Sequence, residues 1–114
     1  MAFRSLKARL IDIADAIEAV EGHLRLVPLD GFETNPTVYR AIERELEIVS
    51  EASRHIPNER KGRYPNIAWR KVADLGNELR HAYHRVDPGL LKEIVREHLP
   101  VLGTAVREML AGED

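Results

Sequence analysis

Apolar residues at Leu6, Leu10, Ile13, Ile17, Val20 and Leu24 recur in steps of 4, 3, 4, 3 and 4, which places one narrow stripe along an α-helix. That helix should end near Val27-Pro28, because proline disfavours helical backbone in the residue before it. Leu29 to Thr34, with Asp30-Gly31 inside it, is turn material. Asn35-Pro36 reads as an N-cap followed by proline at the first helical position. Val38, Ile42, Leu46, Val49, Ala52 and Ile56 supply the apolar face of a second helix. Glu45 falls near the middle of that face. It is either a helix-edge or interface carboxylate paired with an arginine, or a carboxylate aimed at a functional cleft.

Pro57 to Asn66 (PNERKGRYPN) holds three cations, a glycine and two prolines, which predicts a polar loop that no helix crosses. A third helix is expected from about Asn66 to Val86, and Asp87-Pro88 repeats the pattern of cap plus proline. The fourth helix carries Leu91, Ile94, Val95, His98, Leu102, Ala105 and Met109, and Pro100 should kink or split it. Gly112 to Asp114 is expected to fray. The pattern has no internal repeat. It predicts an all-α fold, an antiparallel bundle of four or five helices forming a single domain over residues 1–114.

Composition supports this and removes several chemistries. A chain of 114 residues with 44% hydrophobic and 32% charged residues has the balance of a globular protein with one core. The 5% aromatic content argues against an all-β fold. The absence of cysteine excludes disulfides, thiolate zinc sites and cysteine nucleophiles. No stretch has the length of a membrane span or a signal peptide, so no membrane association and a cytoplasmic location are expected. The net charge of −2 hides an asymmetry. From Arg54 to Arg85 there are eight lysines and arginines against Glu59, Asp74 and Glu78, so an anionic partner should meet the chain there.

The third helix concentrates the chemistry. Val72, Leu75, Leu79, Ala82 and Val86, with Ala68, fall on one face, and Arg70, Asp74, Asn77, His81 and His84 cluster within about 40° on the other. A solvated outer stripe would account for the spacing, but such stripes are usually built from Glu and Lys rather than Asn, His and Arg. His81 and His84 stand three apart, yet no His-Glu-x-x-His pattern or second ligand cluster accompanies them, so neither a metal nor another cofactor is expected. Metal-independent RNA cleavage needs a base for the 2′-hydroxyl, an acid for the leaving 5′-oxygen and a cation for the phosphorane. Arg80, His81 and Tyr83 provide these types, with Asn77 able to orient them. One copy has too few groups. A two-fold dimer would bring two copies to one cleft.

These residues also carry a resemblance. The chain resembles the HepT-like toxins of the HEPN superfamily, the helical partners of minimal nucleotidyltransferase (MNT) antitoxins. Ala41-Ile-Glu-Arg-Glu-Leu-Glu-Ile-Val-Ser-Glu-Ala52 is similar to the second-helix signature, in which a Gly-Glu-Ala triplet follows two apolar residues, with Ser50 in place of the glycine. Ile67-Ala-Trp69-Arg70 is similar to the family's Pro-Trp-Arg entry to the motif helix. Leu75-Gly-Asn-Glu-Leu-Arg-His-Ala-Tyr83 matches the family's Arg-Asn, three residues, His, one residue, Tyr, except that Gly76 stands where the arginine does. The resemblance implies a HEPN-type bundle, a homodimer, an RNA substrate and a type VII toxin–antitoxin pairing. It implies a ribonuclease whose activity rests on the family arginine and on His81 as the proton-moving group. With Gly76 in the arginine's place, Arg80 beside His81 is the candidate for phosphate binding, and Asn77 the candidate for positioning groups. The resemblance also implies that Tyr83 is the residue the MNT antitoxin adenylates to silence the toxin.

Because a glycine carries no charge, the alternative is a non-catalytic HEPN scaffold that binds RNA or a partner. A third option is a nucleotide-binding helical domain assisting a transferase. Gly76 itself costs about 1 kcal/mol in a helix interior relative to alanine, which close helix packing would explain, including packing across a dimer seam. RNA phosphates are expected to meet Arg60, Lys61, Arg63, Arg70, His84 and Arg85. The Arg60–Tyr64 run is equally readable as a solvated loop. His23 and His55 are read as helix-end caps, His98 as a satisfied core histidine and Trp69 as a packing anchor.

Overall fold

The computed structural model describes residues 4–81 and 87–112, with Phe32 and Glu33 described by backbone alone. Among these residues the regular structure is helical, with no strand. Helix α1 (Leu6–Leu26) is capped by the Ser5 hydroxyl, which accepts from the Ala8 N–H at 3.1 Å, and it ends at Val27 as the following proline requires. The turn segment Leu29–Thr34 winds as a short 3-10 helix. Asn35 caps α2 (Pro36–Ser53), its Oδ1 accepting from the Val38 N–H at 3.2 Å. Ile56 lies beyond the end of α2 yet is still buried.

The polar loop departs from expectation. Asn58–Lys61 forms a one-turn helix, α3, with Pro57 at its N-cap. Proline's fixed φ suits that position, so the residue read as a breaker starts a turn instead. The motif helix α4 spans Trp69–Arg80 and is shorter than expected at both ends, with Ala68 as its N-cap and His81 as its C-cap. Ala68 is exposed, not part of the apolar face. The part of the expected helix from Ala82 to Val86, including Tyr83, His84 and Arg85, lies outside the described residues.

Asp87 and Pro88 open α5 (Pro88–Glu93), the carboxylate accepting from the Gly89 N–H at 2.9 Å. Ile94–His98 then widens into one π turn before α6 (Leu99–Ala111), and the Leu99 N–H bonds Ile94 O five residues back. Proline at 100 has no N–H and crowds the carbonyl four residues before it. The wider turn accommodates that ring and divides the fourth predicted helix. His98 ends this turn half-buried, with Nε2 3.5 Å from Glu93 Oε2, so it is a boundary group rather than a core one.

The helices pack in a row, with α4 against α2, α2 against α1 and α1 against α6. Leu10, Ile13 and Val20 from α1 meet Ile42, Leu46 and Val49 from α2, and Val72, Leu75, Leu102 and Val106 close the two sides. Tyr39, absent from the predicted stripe, is also fully buried. Lys71 on α4 pairs with Glu93 on α5, and that bond, with the ammonium charge, holds the Glu93 carboxyl below its ordinary value. The pair is exposed, so it contributes little to stability. Leu46 has no exposed surface at the centre of the row. Leu46→Ala should therefore lower unfolding free energy by about 2–5 kcal/mol, read as a reduced urea midpoint with an unchanged slope.

Candidate active site

The site begins with the way α4 is held. Trp69 at its first turn donates its indole N–H to the carbonyls of Lys61 and Tyr64, both at 3.2 Å, and Lys61 Nζ lies 5.7 Å from the ring centre. Trp69 is therefore the anchor that ties the basic loop to α4. Burial pulls the Lys61 ammonium below its usual pKa.

One turn and a half later, α4 closes on α2 through a serine. The Ser50 hydroxyl has no solvent exposure, accepts from the Gly76 N–H at 2.9 Å and donates to Ala73 O at 2.8 Å. Arg54 Nη2 reaches the same carbonyl at 3.0 Å. A Cβ built on Gly76 would stand 2.6 Å from Ser50 Oγ, closer than any real contact. Packing inside one chain is thus enough to account for the mid-helix glycine. Ser50 and Gly76 both depart from the pattern the chain resembles, and they touch.

Arg80 lies one turn after Gly76, and its guanidinium folds back over the glycine, with Nη1 3.3 Å from the position of that added Cβ. Charge therefore sits beside position 76 although the residue there has none. Arg80 has no ion pair among the described residues.

His81 is exposed at the C-cap of α4. Its ring Nδ1 lies 2.8 Å from the backbone carbonyl of Asn77, which also accepts the His81 N–H at 3.2 Å. A carbonyl oxygen can only accept, so Nδ1 carries the proton, and in the neutral ring Nε2 is left as an unprotonated, solvent-facing acceptor. Asn77 orients the histidine through its main chain rather than through its amide.

Of the expected RNA-contacting residues, His84 and Arg85 lie outside the described residues, and Arg63 and Arg70 line different grooves. Arg63 pairs with Glu59 at 2.9 Å and lines a groove beside Tyr64, Pro100 and Glu108. Arg70 lines a different groove between α4 and α5, in company with Asp74 and Glu78. Much of the local cationic excess is therefore spent internally, on Glu59, Glu93, Trp69 and Ala73 O. Glu45 is half-buried with no ion pair among the described residues, so its expected arginine partner is not found there. His55 pairs with Glu51 at 3.0 Å instead of capping α2. His23 does sit in the last turn of α1. The sequence reading missed Ser50 as the residue that seats α4 on α2, and Arg9 as a lining residue of the cavity that also holds Arg80. Ser50 was signalled by its departure from the motif, whereas Arg9 had no local signal.

The chain matches the family model described as ribonuclease HepT-like over residues 13–109. It is similar to a probable ribonuclease HepT of Thermococcus cleftensis, 41% identical over 99 residues that cover 87% of this chain and 90% of that protein. A putative RNase of Methanocaldococcus jannaschii is 36% identical over 100 residues, covering 88% of this chain and 92% of that protein. A putative RNase of Caldanaerobacter subterraneus is 30% identical over 97 residues, covering 85% and 83%. No solved structure matches the chain.

The Ser50–Gly76 contact predicts a coupled pair. Gly76→Ala should destabilise the fold by about 1–3 kcal/mol despite alanine's better helix propensity, because the methyl overpacks the interface. Ser50→Gly in the same chain should recover part of that loss. A double-mutant cycle in urea measures the coupling, and additive effects would show that the two residues do not interlock.

Proposed function

The chain belongs to the ribonuclease HepT-like family, and on that premise we propose that it is the toxin of a toxin–antitoxin pair, cleaving RNA without a metal. The observation that supports this reading most is the exposed histidine with its Nδ1 proton committed to Asn77 O and its Nε2 without a hydrogen-bond partner among the described residues. That nitrogen takes the proton from a ribose 2′-hydroxyl, and the 2′-oxygen attacks the adjacent phosphorus. The bond to the 5′-oxygen then breaks, leaving a 2′,3′-cyclic phosphate. The departing oxygen takes a proton from a general acid.

One copy offers a single such histidine among the described residues. In a two-fold homodimer, the partner's His81 in its imidazolium form supplies the acid. Arg80 stabilises the charge developing on the phosphorane, standing beside the position that the family arginine would occupy. Asn77 fixes the tautomer. Arg60, Lys61, Arg63, Arg70, His84 and Arg85 are the outer contacts to the strand. Tyr83, two residues after His81, is the residue that an MNT nucleotidyltransferase antitoxin adenylates. An added nucleotide there would bring bulk and negative charge two residues along the chain from His81.

The competing reading is a non-catalytic HEPN scaffold, and Gly76 favours it, since no side chain at that position reaches a phosphate. The two readings part in a single assay. Purified protein in EDTA should cut RNA to products with cyclic phosphate ends. His81→Ala should lower the rate by about 10²–10⁴-fold with its helical circular dichroism intact, and Arg80→Ala by about 10²–10³-fold. RNA left whole by folded wild type would establish the scaffold. An arginine at position 76 tests the point directly only when paired with Ser50→Gly, because Ser50 fills the space. Co-expression with the antitoxin should add the mass of one adenylate per chain, and Tyr83→Phe should remove that increment.

A further inference from the structure

A second group of arginines meets Arg80 away from the basic loop. Between α1, α2 and α4 lies a cavity of about 180 Å³ lined by Arg9, Arg44, Arg80, Asp12, Glu47 and Glu51, with Ile48 and Ala52 at its base. Its carboxylates are already engaged. Asp12 is held by both oxygens to Arg4 Nη2 at 2.7–2.8 Å, Glu47 by Arg44 at 3.2 Å, and Glu51 by His55 at 3.0 Å. Two guanidinium groups remain without an ion pair among the described residues, those of Arg9 and Arg80. Arg9 Nε is buried and has no hydrogen-bond partner. A buried donor left unpaired costs free energy, and one on a charged group costs more, so an oxygen-rich anion is the missing complement.

The size of the cavity limits that anion. It is smaller than the roughly 300–1,000 Å³ typical of small-molecule pockets, so it matches a phosphate group better than a whole nucleotide. Two planar guanidinium forks match the oxygens of a phosphodiester. We infer that this cavity is a phosphate subsite, in which Arg9 of α1 and Arg80 of α4 hold the same phosphate of the RNA strand. The inference rests on the ribonuclease reading for its ligand. It assigns to Arg9 a direct contact with substrate, and it places the phosphate on the α1–α2 side of α4 rather than on the basic loop.

Nitrogen-15 NMR of the wild-type protein tests this without any substitution. Titrated inorganic phosphate should move the Arg9 Nε–H resonance saturably, and chloride at the same ionic strength should not. RNA binding is then measured in a His81→Ala background, which prevents cutting. Adding Arg9→Gln should weaken binding by about tenfold or more and make the log–log salt dependence shallower by about 0.7, the loss of one single-strand phosphate contact. Arg9→Lys, which keeps the charge but not the fork, should restore the salt slope and only part of the affinity.

An Arg9 resonance that ignores phosphate, with Arg9→Gln binding RNA as its parent does, overturns the subsite. If wild type still cuts RNA in that case, the ribonuclease reading survives alone. Phosphate binding at Arg9 with an unchanged RNA salt slope also overturns the inference, since the strand then does not use the cavity. Phosphate binding at Arg9 in a protein that neither binds nor cuts RNA leaves an anion site and removes the ribonuclease reading instead.

Discussion

The buried hydroxyl of Ser50 is the contact on which the placement of the motif helix depends. It receives the Gly76 N–H, gives its own proton to Ala73 O, and leaves no room for a side chain between α2 and α4. Because α4 is thus seated on α2, its C-terminal end carries two exposed side chains, Arg80 folded back over the glycine and His81 at the C-cap. A small polar contact sets the geometry, while the apolar row of α1, α2, α4 and α6 supplies the bulk of the stability. The interaction also explains why a glycine occupies the middle of a helix. The helix-propensity cost at one residue is offset by an interhelical approach that no other residue permits.

Most of the helical plan was legible in the sequence, for reasons that can be named. The 4–3 spacing from Leu6 to Leu24 and the caps at Asn35 and Asp87 are local signals, and local hydrogen bonds fulfil them. The α3 turn was not legible because Pro57 reads as a breaker in isolation and as a helix start in context. The C-cap at His81 was not legible because apolar periodicity runs on in the sequence to Val86. At the site, the tautomer of His81 could not be read from residue types, since it depends on a main-chain oxygen one turn earlier. That Arg9 and Arg80 line one cavity is a tertiary fact, linking positions 71 residues apart.

Charge illustrates the same lesson from the other direction. Counting cations between Arg54 and Arg85 pointed to one anion-binding face, but Lys71, Arg63 and Arg54 are engaged within the fold. Net excess along a sequence measures attraction at long range. It does not identify which groups remain available at short range. Here the groups with unspent hydrogen-bonding capacity include an arginine from the first helix, far outside the basic stretch.

The π turn at Ile94–His98 has a consequence for chain length. A π turn holds one residue more than an α-helical path of the same phase requires. The segment before Pro100 is therefore a place where the chain can lose a single residue and still deliver Leu99, Leu102 and Val106 to the same side of the core. Elsewhere in these helices a one-residue deletion would rotate every following side chain by about 100° and expose the apolar stripe. Variation in length within the family's last helix is thus physically admissible at this turn and costly in the helical stretches on either side.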